Sequence, residues 1–406
     1  MHSAFTMPVL KHIAGTTLVA FVVGCGLTDV SNPGPIQDEA LNSAAAGPTV
    51  FIGLVSDVEV AAGSAAYYAG VASSDLNADA TQGWVQNMGA GRLLTEESSY
   101  IWDETQAARW SAEQGIVRLT ATQPNPERSP LVAGANLWAG YANRILGDIA
   151  CVAVFDGGPP LATTEHYLRA ISQFEKAIAI STTIGASMDT VRRAATAGLA
   201  QSYLILGDYD KAAQFASQLP DNFLWVAHRS GNSVREQNRI WESTVVSTQA
   251  TVHGTISGAL GENGDPRTPW KDLKKTGSGG LRPYYQQQKY ADRGTDIPLA
   301  KGAEMRLIEA EVLLRAGNIG GAMTKINGVR LSAGVTPVTA TTTADAWVAL
   351  DRERHFALWL EGRRLRDNAR LRTTGLSSWS AAFMQGRDAC FPPSLNEVAS
   401  NPNLRP

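Results

Sequence analysis

Long apolar runs, surplus charge and the short signatures of catalysis are all scarce in this 406-residue chain. The one sustained apolar run, Ile13 to Val23, falls short of the roughly 20 residues a bilayer-crossing helix needs, so the body of the chain reads as soluble. Lysine and arginine number 35 against 38 aspartates and glutamates, a formal net charge of −3. That balance lacks the basic footprint of a nucleic-acid binder. No G-x-S-x-G, G-x-x-x-x-G-K-[ST] or H-E-x-x-H occurs, which removes the nucleophile-elbow hydrolases, the phosphate-loop enzymes and the helix-borne zinc proteases. The six histidines include no pair at helical ligand spacing, so no metal or cofactor is expected. With 44% hydrophobic and 18% charged residues, the composition is that of a folded protein without a disorder signature.

What is present begins at the N-terminus. Lys11 and His12 precede the apolar run, which ends in Val22-Val23-Gly24-Cys25. A basic flank, a short apolar stretch and a small-residue cleavage site form the order of a secretory signal peptide. Val22-Val23-Gly24-Cys25 is similar to a bacterial lipobox, which makes Cys25 the expected acylated N-terminus; the alternative is an ordinary signal peptide with a chance cysteine. The expected division is a signal peptide over 1–24, a lipidated tether over 25–48 and a folded domain over 49–406. In an oxidising compartment Cys151 and Cys390 are the remaining pair. Bridged, they close a loop of about 240 residues with a nominal entropic stabilisation of about 5 kcal/mol; otherwise they are two buried thiols behaving as small hydrophobes.

From Val50 the pattern is helical. Helices are expected over 49–68, 105–120, 129–154, 164–180, 188–206 and 210–218. A turn-rich polar patch runs from Ser73 to Ser98. Ala195, Leu199, Tyr203, Gly207, Ala212 and Phe215 mix small and bulky residues at a helix-turn-helix period similar to a tetratricopeptide repeat. A second such unit starts at Gly302 and turns at Gly317-Asn318. Between them, 220–301 is rich in Gly, Pro, Asn, Trp and Tyr without helical periodicity. An insertion of that length inside a folded domain is a place to look for function.

After Tyr284 the sequence becomes specific. Tyr284-Tyr285-Gln286-Gln287-Gln288-Lys289-Tyr290, Asp296-Ile297-Pro298-Leu299, Ala303 to Glu311, Asp351-Arg352-Glu353-Arg354, Trp359-Leu360-Glu361-Gly362-Arg363-Arg364 and Phe391-Pro392-Pro393 follow one another. This series, with Leu27 to Pro33 near the N-terminus, resembles the SusD/RagB family of outer-membrane nutrient-uptake lipoproteins. The resemblance implies an all-α, SusD-like stack of tetratricopeptide-like helix hairpins, with the irregular insertion carrying the binding face. It also implies a lipid-anchored, cell-surface protein in the outer membrane, with no enzymatic activity. Such a protein captures glycans or other oligomers, a peptide included, and passes them to a SusC-like TonB-dependent transporter. The alternative is a helical-repeat scaffold lipoprotein for envelope assembly, for which a smooth, uninterrupted repeat array is expected.

Sugar capture uses flat rings for area and amide or carboxylate groups for orientation. The candidate ligand contacts are Asp75, Asn77, Trp84, Asn87 and Trp102 in the first polar patch, and Trp270, Tyr284 and Tyr285 in or after the insertion. Asp75, Asn77 and Asp79 imitate the opening of a calcium loop, but Ala80 and Gln86 stand where glycine and glutamate are required. Arg352, Glu353, Arg354, Glu361, Arg363, Arg364 and Asp367 are expected on one amphipathic helix, as a structural ion-pair network. Lys289 and Tyr290 are expected to be structural too. Asp75 with Asp103 or Glu104 is the carboxylate pair that a glycosidase reading requires.

Overall fold

Each repeat-like turn in this chain combines a left-handed glycine with a capping residue. In the computed structural model, which describes residues 38–262, 264–379 and 385–405, α6 (Asp189–Leu206) stops at Gly207 with φ +81°. The next residue, Asp208, accepts the Lys211 amide and starts α7 (Tyr209–Ala216). The same device recurs between α10 (Gly302–Arg315) and α11 (Ile319–Ser332), where Gly317 has φ +75° and Asn318 caps Gly321. Glycine accepts the positive φ without a Cβ clash, and the Asx side chain satisfies an orphan amide.

These turns stack helices as hairpins. α5 (Thr164–Ile184) packs between α4 (Pro130–Ile149) and α6, and α7 leads onto α10, which also carries α11 and α12 (Thr343–Ala357). Close approach requires missing side chains: a Cβ on Gly140 or Gly198 falls within 2.5 Å of the Phe174 ring. α1 (Gly47–Ala72) and α3 (Ser99–Thr122) flank α4 on its other side. α1 is long and apolar enough to cross a bilayer by length and composition, which the sequence reading overlooked because alanines and glycines dilute its apolar run. Every residue from Ala61 to Ala72 is nonetheless buried in protein, as in a core helix. The described residues from Glu39 onward belong to one compact unit. The leader, Cys25 and Leu27 to Pro33 lie outside the described residues.

The insertion over 220–301 holds antiparallel strand pairs instead of helical hairpins. β4 (Leu224–Ala227) pairs with β8 (Ile297–Lys301), and β6 (Trp270–Thr276) pairs with β7 (Pro283–Gln287). β1 (Asn77–Ala78) in the polar patch pairs with β5 (Ala250–Thr251) in the insertion. Distant parts of the chain therefore meet at one place. The expected helix over 129–154 ends at Ile149; Val152–Ala153 is β2, paired with β3 (Leu161–Ala162). The polar patch also contains α2 (Gly83–Gly89), a helix too short to show periodicity in the sequence.

The C-terminal arginines do not share one helix as expected. α12 ends at Ala357 and α13 spans Arg364–Thr374. Between them Leu360 has φ +57° and Gly362 φ +76°, a break marked in the sequence by a single glycine. Asp75 holds it, its carboxylate accepting the Leu360 amide at 3.3 Å. The ion-pair network itself is present and buried apart from Arg352, which is exposed and stands over the Trp379 ring. Arg354 pairs with Asp367 at 2.7 Å, Arg364 with Asp351 at 2.6 Å, and Arg370 with Glu311 at 2.5 Å. Arg363 joins Asp148 of α4, while Lys289 and Lys301 converge on Glu361 at 2.7 and 2.5 Å. Lys289 also donates to the Trp359 carbonyl and Tyr290 to that of Leu360, so both are structural. The two cysteines are joined by a disulfide with sulfurs 2.03 Å apart. It fastens the chain end to the foot of α4, where Cys151 donates to the Phe391 carbonyl and Phe391 to that of Ile149.

Candidate binding face

α2 sets the first part of the face. Val85 and Met88 turn into the core. Trp84, one turn before Met88, is half-buried at the core's margin, and Asn87, three residues on, sits further round the helix. Trp84 stacks on Tyr100 of α3 with ring centroids 4.5 Å apart and planes 20° from parallel. Tyr100 is 52% exposed. Tyr68 of α1 backs Trp84 at 5.9 Å, and its hydroxyl accepts from Arg239 at 3.1 Å. Beside the rings, Asn87 donates to Glu97 at 2.8 Å while its carbonyl oxygen accepts from Arg92 at 2.6 Å. A ring platform bordered by amide, carboxylate and guanidinium has the components that grip a sugar.

A second ring pair lies on the β6–β7 hairpin. Tyr285 stacks on Trp270 at 4.2 Å and 8°, with His253 edge-on at 5.0 Å. Trp270 is only 7% exposed and donates to the Ser257 carbonyl at 3.1 Å. Tyr285 is therefore the more accessible ring and Trp270 its underlay. Asn77 donates to the His253 carbonyl at 2.8 Å. The two ring pairs are linked through backbone: α2 packs on β1, β1 pairs with β5, and the Val252 amide beyond β5 donates to the Tyr285 carbonyl at 2.9 Å.

Besides Trp270, three of the expected contact residues are buried. Trp102 is 1% exposed, packed with Ala150 and Val154, because its position in α3 faces inward with Ile101 and Thr105. Tyr284 is fully buried, with its hydroxyl on the Thr244 carbonyl; desolvation pushes its ionisation far above the usual phenol range. Asp75 is 2% exposed, between Leu360 and His355. Asp79 is buried as well, accepting the amides of Gly277, Leu281 and Arg282 at 3.0 to 3.1 Å. The calcium-like spacing thus serves two internal anchors, and no group of three metal-ligating side chains forms among the described residues.

Sequence reasoning missed Tyr100, Arg92, Glu97 and His253, as well as Trp110, 54% exposed on α3. It also missed a relay. His355 lies 3.3 Å from Asp75 through Nδ1 and 3.2 Å from Ser257 through Nε2. The order is that of a serine-protease triad, but Ser257 is 1% exposed, sealed from any substrate. Burial pulls the His355 imidazole below its ordinary value, which favours the neutral ring. The relay's effect is mechanical, since Ser257 also carries Trp270. Elsewhere, an open groove of about 620 Å³ beside α5–α7, lined by Ile178, Arg192, Arg193 and Phe215 among others, contains none of these ring pairs. The face is a platform and not a deep pocket.

Residues 233–389 match the family model described as the SusD family. No curated protein sequence matches the chain. A SusD superfamily protein from Bacteroides thetaiotaomicron is similar in structure at a TM-score of 0.68 and 12% identity, covering 89% of this chain and 97% of its own. A laminarin-binding SusD-like protein gives 0.65 at 16% identity, covering 87% and 97%. A SusD-like carbohydrate-binding protein from Bacteroides vulgatus gives 0.59 at 16%, covering 81% and 83%.

Proposed function

We propose that this chain, SusD-family in sequence over residues 233–389 and SusD-like in fold, is a capture protein for oligosaccharides. The observation that carries the reading is the accessible Trp84–Tyr100 stack with Asn87, Arg92 and Glu97 at its border. The rings supply area at low conformational cost, and the polar groups select hydroxyl geometry. The laminarin-binding and carbohydrate-binding relatives in fold support a glycan over a peptide. Tyr285, with Trp270 beneath it, adds a second contact along the same run of elements.

Capture occurs here without bond cleavage. The carboxylate pair a glycosidase needs is lacking at the first place to look: Asp75 is sealed, and Asp103 already accepts from Ser394 and Asn396 at 2.5 and 2.6 Å. The protein is held at the outer surface by acylation of Cys25, a reading supported by Val22 to Cys25, and hands its ligand to a SusC-like barrel. Release demands modest affinity, with dissociation constants from about a micromolar to about a millimolar. The strand-rich insertion interrupting the hairpin stack speaks against the scaffold alternative.

The test is calorimetric titration of the protein lacking residues 1–24 with laminarin oligosaccharides and a panel of other glycans and peptides. Binding of at least one glycan, weakened by Tyr100→Ala, is the expected result. A protein that binds only peptides, or that shortens the glycan it is given, overturns the reading.

A further inference from the structure

Every lysine among the described residues except two stands in an ion pair: Lys176, Lys211, Lys274, Lys289, Lys301 and Lys325 each have a carboxylate within 3.0 Å. The exceptions, Lys271 and Lys275, share one strand, β6, and both are exposed. Register places them on one face. Lys271 lies opposite Gln286, and the Lys275 ammonium stands 5.7 Å over the Tyr284 ring. Gln286 and Tyr284 are two apart on β7, so they share a face and are about 7 Å apart along the strand. Tyr285 points to the opposite face of the same hairpin.

Three carboxylates beside this hairpin have partners of their own, while Glu262 is exposed within electrostatic reach of Lys274. Asp272 is bonded to Lys274, Asp79 to three backbone amides, and Glu242 to Arg239, Ser243 and Ser247. Arg282, beside the hairpin tip, uses its Nε on the Ala78 carbonyl and likewise has no carboxylate partner. A chain of net charge −3 thus gathers three lysines and Arg282 on one two-stranded element, with Asp272 and Asp79 balancing part of that charge and Lys271 and Lys275 on the face away from Tyr285. Edge strands often bear lysine to discourage pairing, but that purpose does not require the charges to share a face with a half-buried amide.

Resting on the glycan-capture reading, we propose that the ligand is an acidic oligosaccharide whose uronate carboxylates are met by Lys271 and Lys275. Lysine suits this contact because a point charge with three donors tolerates the varied carboxylate orientations of a flexible polymer.

The experiment is titration of the leaderless protein with an oligogalacturonate hexamer and with laminarihexaose, a neutral glycan of equal length. The expected result is oligogalacturonate binding tighter by about tenfold or more, weakening as salt rises from about 20 to about 200 mM because exposed charges are screened. Lys271→Ser with Lys275→Ser should lose that advantage, Lys271→Arg with Lys275→Arg should keep it, and neither should alter laminarihexaose binding. Equal or tighter binding of laminarihexaose overturns the acidic-ligand proposal and leaves glycan capture standing. So does a serine double variant that self-associates at unchanged affinity, which reduces the lysines to edge protection. Failure of both sugars and of every other glycan overturns the capture reading with it.

Discussion

Charged and polar side chains are used in opposite ways in two regions of this protein. Around α12 and α13, Arg354, Arg364, Asp351 and Asp367 are buried and paired with one another. At the ring platform, Asn87, Arg92 and Glu97 make comparable bonds but remain open to solvent on at least one side. Burial makes the first set obligatory, since an ion left without its partner in a low-dielectric interior is strongly penalised. Exposure leaves the second set replaceable, because water compensates a lost partner. The hub is thus a frame that tolerates little change, whereas the platform can be re-specified without endangering the fold.

The sharpest way to break this contrast is to remove one hub carboxylate. Asp367→Ala leaves Arg354 and the Asp367-directed bond of Arg370 without their acceptor and should cost about 3–5 kcal/mol, read as a fall in thermal midpoint. A second test applies to a residue that belongs to both regions. Trp270→Ala removes a buried indole and should destabilise by about 3–5 kcal/mol, with loss of glycan binding following from loss of structure. If its midpoint is unchanged, Trp270 is a surface ligand contact and the boundary drawn here is wrong. The disulfide comes next: Cys151→Ser with Cys390→Ser should cost about 2–5 kcal/mol, measured by denaturant unfolding.

A titration probes the frame alone. Burial raises the Glu304 carboxyl from 4.5 to about 7, although Arg354, Arg144 and a bond from Gln201 pull the other way. Between those values the folded Glu304 holds a proton that the unfolded chain has released, so its own contribution to stability drops as pH climbs from 4.5 to 7. Buried His166 and His355 contribute a rise against it, so the drop is read as the difference between the unmodified chain and Glu304→Gln. The drop, up to about 3 kcal/mol at 1.36 kcal/mol per unit, should be absent in Glu304→Gln. The smallest effect belongs to the platform. Tyr100→Ala should weaken glycan binding about tenfold, or about 1.4 kcal/mol, with little change in thermal midpoint.

The same division explains what could be read in the sequence. Helices such as α5, α6 and α10 announce themselves because their buried residues recur at helical period and Gly-Asp or Gly-Asn marks their turns. The arginine-rich segment was legible as an ion-pair network, for alternating charge around Phe356, Trp359 and Leu360 has few other uses. Its break was not, because Leu360 carries no local sign of positive φ; that conformation depends on Asp75, far away in sequence. Asp75 was misassigned for the converse reason, since a carboxylate in a polar stretch looks solvent-facing until His355 and Leu360 fold over it. Trp84 and Tyr285 stood out as rings in polar, aperiodic sequence, but the stacking of Trp84 on Tyr100 did not, because ring partnership across elements leaves no spacing to detect.

Asp79 grips the tip between β6 and β7 through its carboxylate, on the amides of Gly277, Leu281 and Arg282, and through its carbonyl, on the Gly279 amide and the Ser278 hydroxyl. The shape of that tip is therefore written largely in main chain, with three letters reserved: a Cβ on Gly277 stands 2.7 Å from the Thr248 carbonyl, one on Gly279 2.6 Å from the Asp79 carboxylate, and Gly280 has φ +66°. Leu281 is exposed and bound by no such veto, whereas the Ser278 hydroxyl belongs to the mounting. The tip is a cartridge in which new chemistry can be displayed at Leu281 while the mounting stays the same.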